Sequence, residues 1–281
     1  MRVPVSKYHG CGNDFIILNF EETESFSQEQ IRNFVIAVCD RHTGIGADGC
    51  IFVKKDPLEM IYYNQDGSRA DMCGNGIRCF AAFCSDQDFD LPGIYDVQTL
   101  AGTKTISIIS HDPFQVQVAM GKPDWDPEKI KTAGRQRVWD MPLATSCGEF
   151  EISSFYMSTI HTALFADNPL DESWKDAGEA IGKHPLFTEQ TNVNFIKVLN
   201  DHEIEAATWE RGCGMTLACG TGMCAAAVFS LLQRQTGPHV DVHMKKGTLH
   251  IDIEKDLSVY LSGPAKRIME GIYDYDEKET A

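Results

Sequence analysis

Two cysteines head matching phrases: Cys73-Gly74-Asn75-Gly76 and, 146 positions later, Cys219-Gly220-Thr221-Gly222. Each phrase opens an apolar stretch, Ile77 to Cys84 in one copy and Met223 to Phe229 in the other. A cysteine followed by glycines just ahead of a helix has its sulfur beside backbone N–H groups and the positive end of the helix dipole. That setting is expected to lower a thiol pKa from about 8.5 towards 3.5–7.5 and to hold an anion. Two such places suggest one active site with two thiols and a carboxylate between them. One thiolate would remove an α-proton from one face of a carbon while the opposing thiol returns a proton to the other, inverting the centre. Amides of Gly74, Asn75, Gly220 and Thr221 aimed at the carboxylate would stabilise the carbanion-like transition state. The thiols must hold opposite protonation states and exchange roles between directions, so their titrations are coupled.

The elements that must position these sulfurs repeat as well. Gly102-Thr103 begins an alternating stretch that continues through Gln115–Met120 to Gly121-Lys122-Pro123, and Gly247-Thr248 begins another that ends at Gly263-Pro264. Both read as hairpins by their period of two. Strand-like Met60–Asn64 ends nine residues before Cys73, and Ala206–Glu210 ends nine before Cys219. Order and spacing are kept together, so the chain is read as an internal duplication of domain-sized period. The apolar stretches have no polar face beyond Arg78, and a helix apolar all round is buried. The expected fold is therefore α+β: two homologous lobes, each a mixed sheet wrapped around a central apolar helix, with the site in the cleft between them. Residues 1–123 with 265–281 would form the N-terminal lobe and 124–264 the C-terminal lobe, the chain crossing back after Gly263. The acidic stretch from Glu270 to Ala281 is expected to fray.

Composition bounds the rest. The 281 residues are 43% hydrophobic and 23% charged, as in a soluble globular protein. Met1–Gly10 lacks the apolar core of a signal peptide, and no run approaches the roughly 18 residues of a membrane span, so a cytoplasmic location is expected. A net charge of −16 argues against nucleic acid or an acidic membrane as partner. Ten cysteines without a secretory signal read as free thiols, with Cys39, Cys50, Cys79, Cys84 and Cys224 as small core residues. The spacing of Cys73, Cys79 and Cys84 mirrors that of Cys213, Cys219 and Cys224, but neither set is spaced like zinc ligands. Metal is therefore not expected.

His9-Gly10-Cys11-Gly12-Asn13-Asp14-Phe15, Asp40–Gly49, Asn64–Ser68, Met72–Cys79 and Thr99–Gly102 lie in the first half. Glu210-Arg211-Gly212, Thr216–Gly222 and Ser262–Ala265 lie in the second. In that order, over nearly the whole length, the chain resembles the diaminopimelate epimerase family of cofactor-independent amino-acid epimerases. The resemblance implies that Cys73 and Cys219 act on the L,L/meso pair of 2,6-diaminopimelate and that Asn13 helps hold the reacting carboxylate. It implies that Asn64, Asn192, Glu210 and Arg211 read the distal amino-acid end, where Arg211 can grip a carboxylate; Thr159 joins the substrate-binding set because the repeat offset puts it where Asn13 sits in the first half. His161 and Glu210 are similar to the groups that set the protonation of Cys73 and Cys219. The bland alternatives are a capped surface histidine and an exposed Glu210–Arg211 ion pair. No cofactor is implied, and the partner is a small amino acid, with a homodimer left open.

Two positions depart from the family pattern. Ser158-Thr159-Ile160-His161 stands where Gly-Asn-Pro-His is usual, and Met215 where Glu is usual. Thr159 keeps a hydroxyl but loses the paired donor and acceptor of an amide. These departures predict looser reading of the distal centre, so that a shorter substrate such as glutamate is racemised slowly. A proline racemase of similar fold is the main rival, opposed by the polar set Asn64, Asn192, Glu210 and Arg211. The phenazine-biosynthesis branch does not rely on paired cysteines. From other classes, a cysteine-based metal or redox binding protein is the alternative, and a pyridoxal phosphate racemase lacks a motif around Lys7, Lys104 or Lys197.

Overall fold

The computed structural model describes residues 1–276. The chain divides into two compact units, one of Met1–Val118 and the chain from Gly263 onward, the other of Ala119–Ser262. The first half runs β1 (Arg2–Gly10), β2 (Asn13–Asn19), α1 (Gln28–Cys39), β3 (Gly49–Lys54), β4 (Glu59–Asn64), α2 (Gly74–Asp86), β5 (Ile94–Val97), β6 (Lys104–His111) and β7 (Phe114–Gly121). There follow α3 (Pro127–Ile130), β8 (Met141–Thr145), β9 (Gly148–Tyr156), β10 (Ile160–Phe165), α4 (Trp174–Gly182), β11 (Asn192–Asn200) and β12 (Glu203–Glu210). Then come β13 (Gly214–Met215), α5 (Gly220–Leu232), β14 (His239–Met244), β15 (Gly247–Ile253) and β16 (Val259–Pro264). β17 (Lys266–Asp274) returns to the first unit and pairs antiparallel with β1.

The duplication is visible as topology. β1 and β2 pair antiparallel, β2 and β3 parallel across α1, and β3 and β4 antiparallel. β9 to β12 repeat that sequence, with α4 as the crossover. A 13-residue helix follows each set, α2 in one and α5 in the other. Antiparallel strands complete each half, β5–β6–β7 and β14–β15–β16. Sheet order is β17-β1-β2-β3-β4 in the first unit. In the second it is β16-β15-β14-β12-β11-β10-β9-β8, with β13 on β12.

Strand sequence decides the layering. β2 and β3 are buried along both faces, as strands between two layers of helix must be. Ile16, Leu18, Cys50 and Phe52 pack with Phe34, Val35 and Val38 of α1. The alternate residues turn the other way, where Ile51 and Met60 lie against Gly76 of α2. In the second unit Val193, Phe195 and Trp209 pack with Ala177 and Ile181 of α4. Glycine lets α4 lie directly on the indole, because a Cβ at Gly178 would fall 2.6 Å from Trp209 Cβ. α2 and α5 cover the opposite faces, and every residue from Gly74 to Cys84 is buried. Their lack of a polar face has this consequence.

The C-terminal stretch differs from expectation. Its charges alternate with tyrosines, so Glu270 and Asp274 face outward in β17 while Tyr273 and Tyr275 pack on Phe34. The Tyr275 N–H also donates to the Met1 carbonyl at 2.7 Å. Fraying is thus contradicted as far as Asp276; residues 277–281 lie outside the described residues. Among the described residues no helix is long and apolar enough to cross a membrane.

Candidate active site

Cys73 and Cys219 occupy the same place in their units. Each is the residue before a buried helix, with extended backbone, and each sulfur accepts the N–H of the residue three positions on at 3.4 Å. That donor is Gly76 for Cys73 and Gly222 for Cys219. Sulfur here does what a serine or threonine oxygen does at an ordinary helix start. Gly74 and Asn75, and Gly220 and Thr221, are the first residues of α2 and α5, where backbone amides suit an anion.

In the first unit, strand alternation puts Asn13 on the α2 side of β2, with Phe15 and Ile17. Its orientation is fixed from both ends. Asp48 can only accept, so Asn13 Nδ2 points to it at 2.6 Å. Oδ1 then receives the Cys73 S–H at 3.7 Å and Asn75 Nδ2 at 3.3 Å. Arg78 fixes Asn75 in turn, since a guanidinium only donates and reaches Asn75 Oδ1 at 2.9 Å. Arg78 is fully buried and also donates to the Gly74 and Pro264 carbonyls and to Cys11 Sγ. Behind Asn13, Arg41 grips Asp14 with two nitrogens and Asp48 with one, and Lys7 pairs with Asp14. Burial alone would raise the Asp14 carboxyl, but hydrogen bonds and charge from Arg41 and Lys7 outweigh it and hold the pKa at about 2. Asn64 is held separately, accepting from Tyr62 Oη at 2.9 Å and donating to Ser68 Oγ at 3.0 Å.

In the second unit the same alternation sorts β10, β11 and β12. Ile160, Val193, Phe195 and Trp209 serve the α4 core, which leaves His161, Asn192, Asn194, Thr208 and Glu210 on the α5 side. Glu210 accepts from Thr216 Oγ1 and adjoins the Cys219 sulfur. The Cys219 thiol is pushed well above its ordinary pKa, first by burial and then by the negative charge of Glu210. Thr221 and the Gly222 N–H pull it down but do not prevail. This corrects the expectation of a lowered thiol: the helix start acts in the expected direction and desolvation is larger.

His161 is fully buried, and burial pushes its pKa down to about 3, so it is no capped surface histidine. The Arg211 N–H donates to Asn192 Oδ1 at 2.9 Å, and its guanidinium bonds the Glu189 carbonyl at 2.8 Å. Thr159 directly precedes β10, after the positive-φ residue Ser158, as Asn13 opens β2 after Cys11 and Gly12. A cavity of about 360 Å³ flanks Cys219, with Thr208, Met215, Thr216 and Met223 in its wall. Cys39, Cys50, Cys79, Cys84 and Cys224 are core residues, and burial raises the thiols of the first four.

The diaminopimelate epimerase family model matches residues 5–125 and 154–268, one segment around each capping cysteine. The chain belongs to the diaminopimelate epimerase family. Its relatives include a diaminopimelate epimerase of Alkaliphilus metalliredigens, 38% identical over 97% of this chain and 98% of that protein. One from Synechocystis is 37% identical over 96% of this chain and 99% of its own. Solved structures extend the likeness of fold to other branches. A hydroxyproline epimerase from Agrobacterium vitis, with bound trans-4-hydroxy-L-proline, superposes with a TM-score of 0.69 at 11% identity, covering 99% of this chain and 94% of that one. A phenazine biosynthesis protein of the PhzF family from Bacillus anthracis gives 0.69 at 12% identity, covering 98% and 100%.

Within this diaminopimelate epimerase family member, the motifs had not singled out Asn194, Thr208, Arg41, Asp48 or the oxygens around Arg78. Asn194 and Thr208 did leave a trace, as polar residues at alternate positions of otherwise apolar strands. Arg41 and Asp48 lie within the Asp40–Gly49 motif, whose spacing does not show that they meet around Asp14.

Proposed function

We propose that this protein interconverts L,L- and meso-2,6-diaminopimelate by proton removal and return at the α-carbon, without pyridoxal phosphate or metal. What supports this reading most is a single relationship: two sulfurs cap two buried helices at equivalent points of a duplicated fold. The reacting carboxylate would lie on the amides of Gly74, Asn75, Gly220 and Thr221, with Asn13 beside it. Cys73 and Cys219 would act on opposite faces of the carbon. Because Cys219 is held as a thiol by burial and by Glu210, its thiolate forms only as the proton passes to the Glu210 carboxylate. The α-proton then moves to Cys219 sulfur while Cys73 supplies its own proton to the other face. The reverse direction starts from the Cys73 thiolate. Asn64, Asn192, Glu210 and Arg211 would read the distal amino-acid end, which a cyclic apolar substrate would leave unpaired. The product serves lysine and cell-wall precursor synthesis, and the enzyme works in the cytoplasm.

The test is L,L-diaminopimelate in heavy water with no added cofactor. Appearance of meso product carrying deuterium at the inverted carbon is expected. Failure to exchange, or exchange only after pyridoxal phosphate is supplied, overturns the proposal.

A further inference from the structure

Asn194 is fully buried on β11, on the side that faces α5. Its amide has three partners. Nδ2 lies 3.0 Å from the Thr162 main-chain oxygen and 3.1 Å from His161 Nδ1, and Oδ1 lies 2.9 Å from Thr208 Oγ1. A main-chain carbonyl can only accept, so the end of the amide against Thr162 is the NH2 end. The second hydrogen of that NH2 points at His161 Nδ1, which must therefore present a lone pair. A neutral imidazole with a bare Nδ1 carries its proton on Nε2. That Nε2 is buried and has no hydrogen-bond partner among the described residues. A buried donor left in this way is costly, and a polar ligand would remove the cost.

We propose that Asn194 is a positioning residue that holds His161 in its Nε2–H tautomer, so that His161 serves as a neutral donor to a carboxylate oxygen of the substrate and not as a base. Burial agrees, because a ring with its pKa near 3 is uncharged at neutral pH. The place of the donor points to a carboxylate. Gly222, whose N–H donates to the Cys219 sulfur, packs on the same Asn194 and Thr208 oxygens, so the amide that fixes the ring lies against a helix start that suits an anion. The tautomer follows from the second unit alone; its use on a carboxylate rests on the epimerase reading.

The experiment uses the full chain labelled with ¹⁵N-histidine, and a long-range ¹H–¹⁵N spectrum at neutral pH. His161→Gln identifies the His161 ring signals. Wild type is expected to show Nδ1 at the position of an unprotonated nitrogen and Nε2 at that of a protonated one. A ring protonated at Nδ1, or at both nitrogens, overturns the tautomer without any variant having to fold. In Asn194→Asp the carboxylate can only accept, so the proton should move to Nδ1 and kcat should fall on the order of tenfold or more. An unchanged tautomer in that variant overturns the role of Asn194. Saturating L,L-diaminopimelate should then shift the wild-type Nε2 signal and leave Nδ1 in place. If deuterium exchange proceeds while Nε2 does not move, the donor role is wrong. If exchange itself is absent but the tautomer is as stated, the epimerase reading fails and the tautomer lock stands.

Discussion

Gly222 and Asn194 touch so closely that no side chain fits between them: a Cβ on Gly222 would lie 2.6 Å from Asn194 Oδ1. The same glycine gives its N–H to the Cys219 sulfur. Gly222→Ala must therefore either lift the start of α5 or part the strands below it. Either shift moves the sulfur. The variant should lose about 1–3 kcal/mol of stability, as overpacked cores do, and about a hundredfold in kcat, as misplacement near 1 Å can cost. Urea denaturation and the deuterium assay check both, and full activity in Gly222→Ala would sink the coupling.

Loss of either capping sulfur should be fatal to inversion and mild for the fold. Cys73 is half-buried and Cys219 lines a cavity, so alanine removes little packing at either. Cys73→Ala and Cys219→Ala are each expected to lower epimerisation by about 10³-fold or more, the scale of a lost general acid or base. Their circular dichroism should match wild type. A single variant that still inverts its substrate at a tenth of the normal rate contradicts a two-thiol mechanism.

Local features were legible in the chain and long-range ones were not. The capping cysteines, the apolar helices behind them and the hairpins that follow are all written in short continuous runs of the chain. Asn194, Thr208 and His161 become neighbours only when β10, β11 and β12 pair, and no spacing along the chain announces it. The Cys219 pKa went the opposite way because burial is a property of packing, and the helix-start rule contains no desolvation. β17 was hidden because its charges masked an alternation with tyrosine.

Burial of His161 gives a sign to acid stability. Its folded pKa of about 3 lies below the ordinary 6.5, so between those values the unfolded chain holds the extra proton. Stability should then fall as pH drops through that window, by up to about 1.4 kcal/mol per pH unit from this group. Asp14, held at about 2, acts in the same sense only below the ordinary carboxyl range. Urea midpoints for wild type and His161→Gln between pH 6.5 and 4.5 separate the two. The variant should show the flatter profile, and parallel profiles would contradict the assignment.

Arg78 stands inside the protein with oxygens and one sulfur around it, and it decides which way Asn75 points. Arg78→Met leaves several buried acceptors without a donor, at about 1–3 kcal/mol each. Arg78→Lys should not rescue it, because an ammonium cannot reproduce the fork that spans Gly74, Asn75 and Pro264. Both variants are expected to unfold at lower urea, with kcat reduced even where they remain folded. Wild-type kcat in Arg78→Met would mean that the orientation of Asn75 does not matter to the reaction.

Thr159 offers a test of substrate range. It precedes β10 as Asn13 opens β2, yet it brings one hydroxyl where an asparagine brings a donor and an acceptor. A site that reads its ligand with fewer fixed groups rejects a shorter analogue less strongly, since fewer of its polar groups are left unpaired. Wild type should therefore racemise glutamate slowly, and Thr159→Asn should lower that side activity about tenfold while keeping kcat/KM for diaminopimelate. The comparison needs both substrates in one assay, with deuterium entry at the α-carbon as the readout. If wild type leaves glutamate untouched, a fixed water at Thr159 already supplies the missing contact, and the looser reading is wrong.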